Sequence, residues 1–155
     1  YLTTVVIVNQ APAFVAPTPI SNATIIAGSF FRFSGASFLD PGLDAVSAEI
    51  AWGNGTTTAG IITLSSSGNA APTTGSVAGT HLFAFRTQPY TVTVTLRDAS
   101  GATTSTTFEV TVLDPVLSLV EAGPNRTVAE GEAVDLTGRF IDPAFGSSYT
   151  ASINW

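Results

Sequence analysis

The chain has 155 residues, 45% of them hydrophobic and 10% charged, with a net charge of −6 and a pI near 4.3. Its five basic residues are all Arg and are scattered, so it lacks the clustered positive charge that neutralises phosphate, and nucleic acid is excluded as a partner. Zero Cys excludes a disulfide framework and thiolate chemistry, and no apolar run approaches the roughly 20 residues of a membrane-spanning helix.

Ser and Thr take the polar positions that charged residues hold in an ordinary domain, where about 25% are charged. Polar residues alternate with β-branched and aromatic ones between clusters of Gly, Pro, Asn and Ser, which is the pattern of an all-β chain. In chain order, Tyr1 to Val8 has no charged leader region and reads as a strand that starts mid-pattern, so the chain is expected to be a piece of a longer polypeptide. Phe31 and Phe33 share one face around Arg32. Val46, Ala48, Ile50 and Trp52 share another, with Ser47, Glu49 and Ala51 outward. Thr57 to Leu64 is expected as one strand, Ser65 to Ser76 as a loop with no hydrophobic anchor, and Thr80 to Phe85 as the next strand. In Tyr90 to Asp98, Val92, Val94 and Leu96 point inward while Thr91, Thr93, Thr95 and Arg97 point out, as in a half-buried antiparallel strand. A short turn at Ala99 to Gly101 leads to Thr106 to Val112, with Phe108, Val110 and Val112 inside. Seven or so short strands in about 100 residues predict a two-sheet antiparallel sandwich.

Self-comparison finds a repeat. "NATIIAG" (Asn22 to Gly28) matches "NRTVAEG" (Asn125 to Gly131), 103 positions on. "FSGASFLDPG" (Phe33 to Gly42) answers to "LTGRFIDPA" (Leu136 to Ala144), one residue shorter, and "VSAEIAW" (Val46 to Trp52) to "YTASINW" (Tyr149 to Trp155), where the spacing of 103 returns. Pro12 and Pro115 keep the same spacing. The expected organisation is therefore the last strand of one repeat in 1–11, a complete repeat in 12–114, and the first part of another in 115–155. Val134, Leu136, Ile153 and Trp155 would then need covering strands, from further along the polypeptide or from another molecule, of which continuation of the polypeptide is the reading favoured.

The complete repeat resembles the polycystic-kidney-disease (PKD) repeat, an immunoglobulin-like sandwich found in tandem in extracellular proteins. The resemblance rests on "GASFLDPG" (Gly35 to Gly42), "AEIAWGNGT" (Ala48 to Thr56), His81-Leu82-Phe83 and "YTVTVTLRDASGATT" (Tyr90 to Thr104), whose order follows that family's DPG, WGDGT, HxY and YxVxxxVxDxxG. The residues carried over are Trp52, Asn54, Gly55, His81, Tyr90, Asp98 and Gly101, with Trp155 as the second copy of Trp52. Asn54 stands where the family has Asp, Phe83 where it has Tyr, and Ala144 where it has Gly. The resemblance implies a structural or binding module with no chemistry of its own, on the cell surface or outside the cell.

The residues themselves agree with a non-enzyme. Acyl-transfer triads and most metal sites need a His with partners, and the chain has one His, no Cys and no Lys. His81 shares its parity with Phe83 and Phe85 and reads as a packed, hydrogen-bonded core residue. Asp40 and Asp44 are a loop pair that is remote from glycosidase use. They are candidate calcium ligands, weighed against Asp40 simply capping the Asp-Pro-Gly turn. Asn22, Asn54 and Asn125 each open an Asn-x-Thr sequon and are glycosylation candidates. Asn54-Gly55 has the chemistry of a tight hairpin turn. With no Lys, Lys-to-Asn isopeptide cross-links are excluded.

Two functions follow as expectations. The first is a structural or adhesive spacer in an extracellular surface, sheath or filament protein, jointed at "NQAP" (Asn9 to Pro12) and "LDPV" (Leu113 to Val116), with neighbouring repeats, further copies or polysaccharide as partners and no membrane insertion. The second is a carbohydrate- or protein-binding accessory module of a secreted hydrolase. That would need exposed aromatics, for which Phe30, Phe38, Phe145 and Tyr149 are the candidates, both Trp residues being inward.

Overall fold

The computed structural model describes residues 4–6, 8–15, 20–66, 72–142 and 148–154. Among these there is no helix, and eleven strands form: β1 (Ala13–Phe14), β2 (Ala23–Ile26), β3 (Phe30–Asp40), β4 (Val46–Ala51), β5 (Thr57–Ala59), β6 (Ile61–Ser66), β7 (Thr73–Leu82), β8 (Tyr90–Asp98), β9 (Thr103–Leu113), β10 (Leu119–Glu121) and β11 (Arg139–Ile141). They make a four-stranded sheet in the order β1-β3-β7-β6, a five-stranded sheet in the order β2-β9-β8-β4-β5, and a separate pair β10-β11.

The two larger sheets enclose one core. Phe31, Phe33, Phe38 and Val77 come from the first, and Ile50, Val92, Val94, Leu96, Phe108, Val110 and Val112 from the second, with Trp52 and Phe83 just beyond strand ends. The alternation of Val and Thr in β8 does what period two requires: Val92, Val94 and Leu96 are fully buried, and each such side chain contributes about 1.5–3 kcal/mol by leaving water. An edge-to-face chain of rings ties the sheets together, Phe33 to Trp52 at 6.2 Å and Phe33 to Phe108 at 5.5 Å.

Several expectations need correction. The second sheet is mixed rather than antiparallel, because β2 runs parallel to β9. β1 lies in the four-stranded sheet, antiparallel to β3, and β2 lies in the other sheet beside β9. Residues 57–64 are two strands. β5 pairs with β4 in one sheet and β6 with β7 in the other, and the switch falls at Gly60, where a Cβ would stand 2.8 Å from Ala48 Cβ and 2.9 Å from Val77 Cγ1. Of the expected loop 65–76, residues 73–76 belong to β7 and pair with β3; 67–71 lie outside the described residues. Their anchor is Phe38, whose ring fills the place of a Gly75 side chain, 2.9 Å from where its Cβ would be. Phe38 is thus buried, at 1% exposure, and is no binding aromatic. β7 ends at Leu82, so Phe83 to Phe85 is not strand.

The expected first strand is absent where it is described. Residues 4–6 and 8 carry no strand, and Val5, Val6 and Val8 are exposed. No described strand lies beside them, and a lone extended segment leaves its backbone groups without a ladder. In 115–154, β10 pairs antiparallel with β11, as β1 does with β3, but in another register: Leu39 pairs with Ala13, whereas Ile141 pairs with Leu119 and not with Val116, which lies 103 positions after Ala13. Leu136 and Ile153 are exposed there.

The same turn occurs twice. Ser29 N donates to Ile26 O at 3.1 Å around Gly28 (φ 81°), and Glu132 N donates to Ala129 O at 3.1 Å around Gly131 (φ 87°). Both glycines take the third place of a four-residue turn, where positive φ excludes side chains with a Cβ penalty. The two turns are 103 residues apart.

Candidate functional site

The motif residues fall into two groups, one at a corner beside the core and one at an end of the sandwich. The corner is built where β4 hands over to β5. The last pair of that ladder is Ala51 with Thr57, which leaves a five-residue loop closed by Trp52 N donating to Thr56 O at 3.0 Å. In this loop positive φ belongs to Gly53 (77°) and Gly55 (87°), and among the described residues no non-glycine residue has it. The two-residue hairpin expected at Asn54-Gly55 is therefore corrected: five loop residues need two left-handed positions, and these flank Asn54. Asn54 instead closes an Asx turn, its Oδ1 accepting from Thr56 N at 3.1 Å and Thr56 Oγ1 at 2.6 Å.

With Oδ1 so engaged, the amide nitrogen of Asn54 faces His81, and Nδ2 stands 3.0 Å from Nε2. An amide nitrogen only donates, so Nε2 accepts and His81 is neutral with its proton on Nδ1. The imidazole stacks on Trp52 with centroids 4.7 Å and planes 10° apart, and meets Phe83 edge-on at 4.7 Å. Burial pushes its pKa below the ordinary 6.5. His81 is half-buried rather than a core residue, lying over the fully buried Trp52. Trp52 Nε1 donates to Thr58 Oγ1 at 2.9 Å. Trp155 and Phe145 lie outside the described residues.

Tyr90 opens β8 with its ring 5% exposed, 4.7 Å from Phe83, and its OH donates to Ala84 O at 3.0 Å. The Arg86 guanidinium caps the other face of the ring, 3.9 Å from its centroid, and donates to the carbonyls of Gln88 and Pro89. The Trp52, Asn54, Thr56 and Tyr90 side chains each hold the chain in shape through an internal hydrogen bond.

The sandwich end is different. Asp40 closes β3 in one sheet and Asp98 closes β8 in the other; their exposures are 0% and 3%. Asp40 Oδ1 accepts from Gly42 N at 2.9 Å, which is the turn cap read from Asp-Pro-Gly. Its Oδ2 is buried with no hydrogen-bond partner. Asp98 Oδ1 accepts from Ala102 N at 2.8 Å across the turn containing Gly101 (φ 91°), and Oδ2 accepts from Asn9 Nδ2 at 2.8 Å. The Asn9 bond, with further backbone donors, holds the Asp98 carboxyl below its usual range, against the opposing effect of burial. Asp44 completes the group: one carboxylate oxygen each from Asp40, Asp44 and Asp98 lies within 4.8 Å of the others. The spacing of Asp40 and Asp44 was legible in the sequence. Asp98 stands in the sequence as the last residue of a strand and as part of the motif, and only its ladder pairing with Val46 brings it beside the Asp44 loop.

The remaining candidates are dispersed. Asn22 Oδ1 accepts from Glu109 N at 2.8 Å beside the β2-β9 pair, and Asn125 is exposed. Phe30 is 66% exposed on its own. Tyr149, 47% exposed, meets Phe140 at 4.7 Å with the rings tilted 55°. No protein-family model and no curated protein matches the chain.

Proposed function

We propose that the chain is a length of a tandem array of immunoglobulin-like sandwiches of the PKD type, with 12–114 as one complete unit. It acts as a non-catalytic spacer and lateral-contact module of an extracellular surface, sheath or filament protein. The observation that carries this reading is the recurrence, 103 residues apart, of the glycine turn at Gly28 and Gly131 with the same hydrogen bond across it. A unit that repeats its local geometry in one chain is built for stacking.

Other features support the immunoglobulin-like assignment. The strand orders β1-β3-β7-β6 and β2-β9-β8-β4-β5 correspond to the ABED and GFC arrangement with two extra strands, β2 and β5, and Trp52 lies buried just past β4. Tyr90, with its OH bonded six residues back to Ala84, is the tyrosine corner of such folds. The Trp52, His81 and Tyr90 side chains are all engaged in packing and internal hydrogen bonds, which favours a mechanical over a chemical role.

The accessory-module reading draws on the exposed Phe140 and Tyr149 pair. Pull-down on insoluble chitin and cellulose separates the two. No retention agrees with the array, and firm retention lost on Tyr149→Ala would replace it with the sugar-binding module.

A further inference from the structure

We propose that Asp40, Asp44 and Asp98 bind a calcium ion at one end of the sandwich, with the Asn9 side chain as a fourth oxygen ligand that fastens the connector to both sheets. The cluster gathers three carboxylates with none of them ion-paired among the described residues. Two are buried, and burying carboxylates without a counter-charge is costly enough that such groups are normally paired or hold a metal. The independent sign of a ligand is Asp40 Oδ2. It is an acceptor on a residue with 0% exposure, no donor reaches it, and its carboxylate belongs to the cluster.

The dimensions admit calcium. With Ca–O distances of about 2.3–2.6 Å, oxygens on opposite sides of one ion stand about 4.6–5.2 Å apart, and Mg²⁺, which dehydrates reluctantly and keeps several waters, is the weaker competitor for a site made of protein oxygens. The three oxygens lie within 4.8 Å of one another, so all can reach a single Ca²⁺ with little movement. An all-oxygen donor set disfavours zinc and copper. Asn9 Nδ2 now sits 2.8 Å from Asp98 Oδ2, and turning the amide over places Oδ1 toward the same cluster. Gly42 leaves the approach open: a Cβ there would stand 3.2 Å from Asp44 Oδ2 and 3.4 Å from Asp40 Oδ1.

The partial copy lacks this equipment. Asp142 stands for Asp40, but Ala144 replaces Gly42, and Gly146 falls four residues after Asp142 where Asp44 falls four after Asp40. One ion per chain is therefore expected. Binding is a property of the complete sandwich and does not depend on the array being its function.

The test is calorimetric titration of the chelator-treated 155-residue chain with CaCl2 and, separately, MgCl2. One saturable Ca²⁺ site per chain is expected, with Kd about 10⁻⁴–10⁻³ M as in extracellular modules, and Mg²⁺ at least tenfold weaker. Asp44→Asn keeps the side chain's size and removes one charge; it should weaken Ca²⁺ at least tenfold with the metal-free melting curve unchanged or raised. Asn9→Ala, on the connector, should weaken it threefold or more, and covers the case in which the first variant misfolds. Absence of saturable Ca²⁺ binding up to about 10 mM, tenfold above that range, or wild-type affinity in the folded variants, would overturn the proposal.

Discussion

Gly79→Ala tests the contact between the two sheets at its tightest point. Gly79 lies in β7, and a Cβ added there would stand 2.5 Å from Ile50 Cδ1, 2.8 Å from Phe33 Cε1 and 3.1 Å from Trp52 Cη2. All three neighbours are at most 7% exposed, so none can swing into solvent to make room. Ile50 and Trp52 belong to the opposite sheet's edge of the core, and the methyl acts as a wedge between layers. Overpacking by one carbon costs about 1–3 kcal/mol, and three simultaneous contacts in a closed site place this change at the upper end, about 2–3 kcal/mol. For a folded unit of roughly 100 residues, each kcal/mol moves Tm by about 4–8 °C, so a fall of about 10–20 °C is expected by calorimetry or by circular dichroism. Gly55→Ala is the control. Its φ is 87° but nothing lies within 4 Å of the added Cβ, so only the backbone cost of about 1 kcal/mol applies. A Gly79→Ala protein melting within about 2 °C of the wild type, less than 1 kcal/mol, would refute the placement of Trp52 and Ile50 under β7.

Tyr90→Phe removes the hydroxyl that donates to Ala84 O and should cost about 0.5–1.5 kcal/mol in urea unfolding, with the Arg86 stacking retained. His81 is harder to protonate in the folded chain than in the unfolded one, so its contribution to stability is present above pH 6.5 and is lost as pH falls from 6.5 through the lowered folded value, levelling off below it; His81→Gln should flatten that part of the stability profile. Asn54→Asp places a carboxylate where Nδ2 now stands 3.0 Å from Nε2, so the His81 pKa, followed by NMR titration, should rise relative to the wild type.

What the sequence disclosed depended on whether a strand carried its own apolar signal. β8 and the second half of β9 were legible because Val and Phe alternate with Thr along one segment. The start of β7 was not, because its inward position is Gly75 and the atoms filling that space belong to Phe38 on β3. The same fact made Phe38 look available for binding. Gly60 hid the sheet switch in the same way: period two continues across it from Thr57 to Leu64, while a close approach to Ala48 and Val77 breaks the strand in two. The parallel placement of β2 could not be read either, since direction relative to β9 is set by a crossing between sheets and not by the residues of β2.

The corner around Trp52 and the acidic end differ in how completely their polar groups are used, and that difference separates structure from function here. In the corner, Asn54 serves both Thr56 and His81, Trp52 serves Thr58, and Tyr90 serves Ala84, so conspicuous sequence motifs account for themselves as internal bonds. At the acidic end, Asp40 and Asp98 also cap their turns, yet one oxygen of Asp40 is left over in a buried position beside two further carboxylates. A turn cap needs one acceptor, and the second oxygen of a buried cap is ordinarily hydrogen-bonded too. The excess acceptor capacity lies where Asn9 meets the ends of strands from both sheets, so a cation held there would act on the segment that carries Asn9 rather than on the sandwich core. In the array proposed above, joint stiffness and reach would then follow the surrounding calcium concentration. The core, already closed by Trp52 and its neighbours, would be indifferent to it.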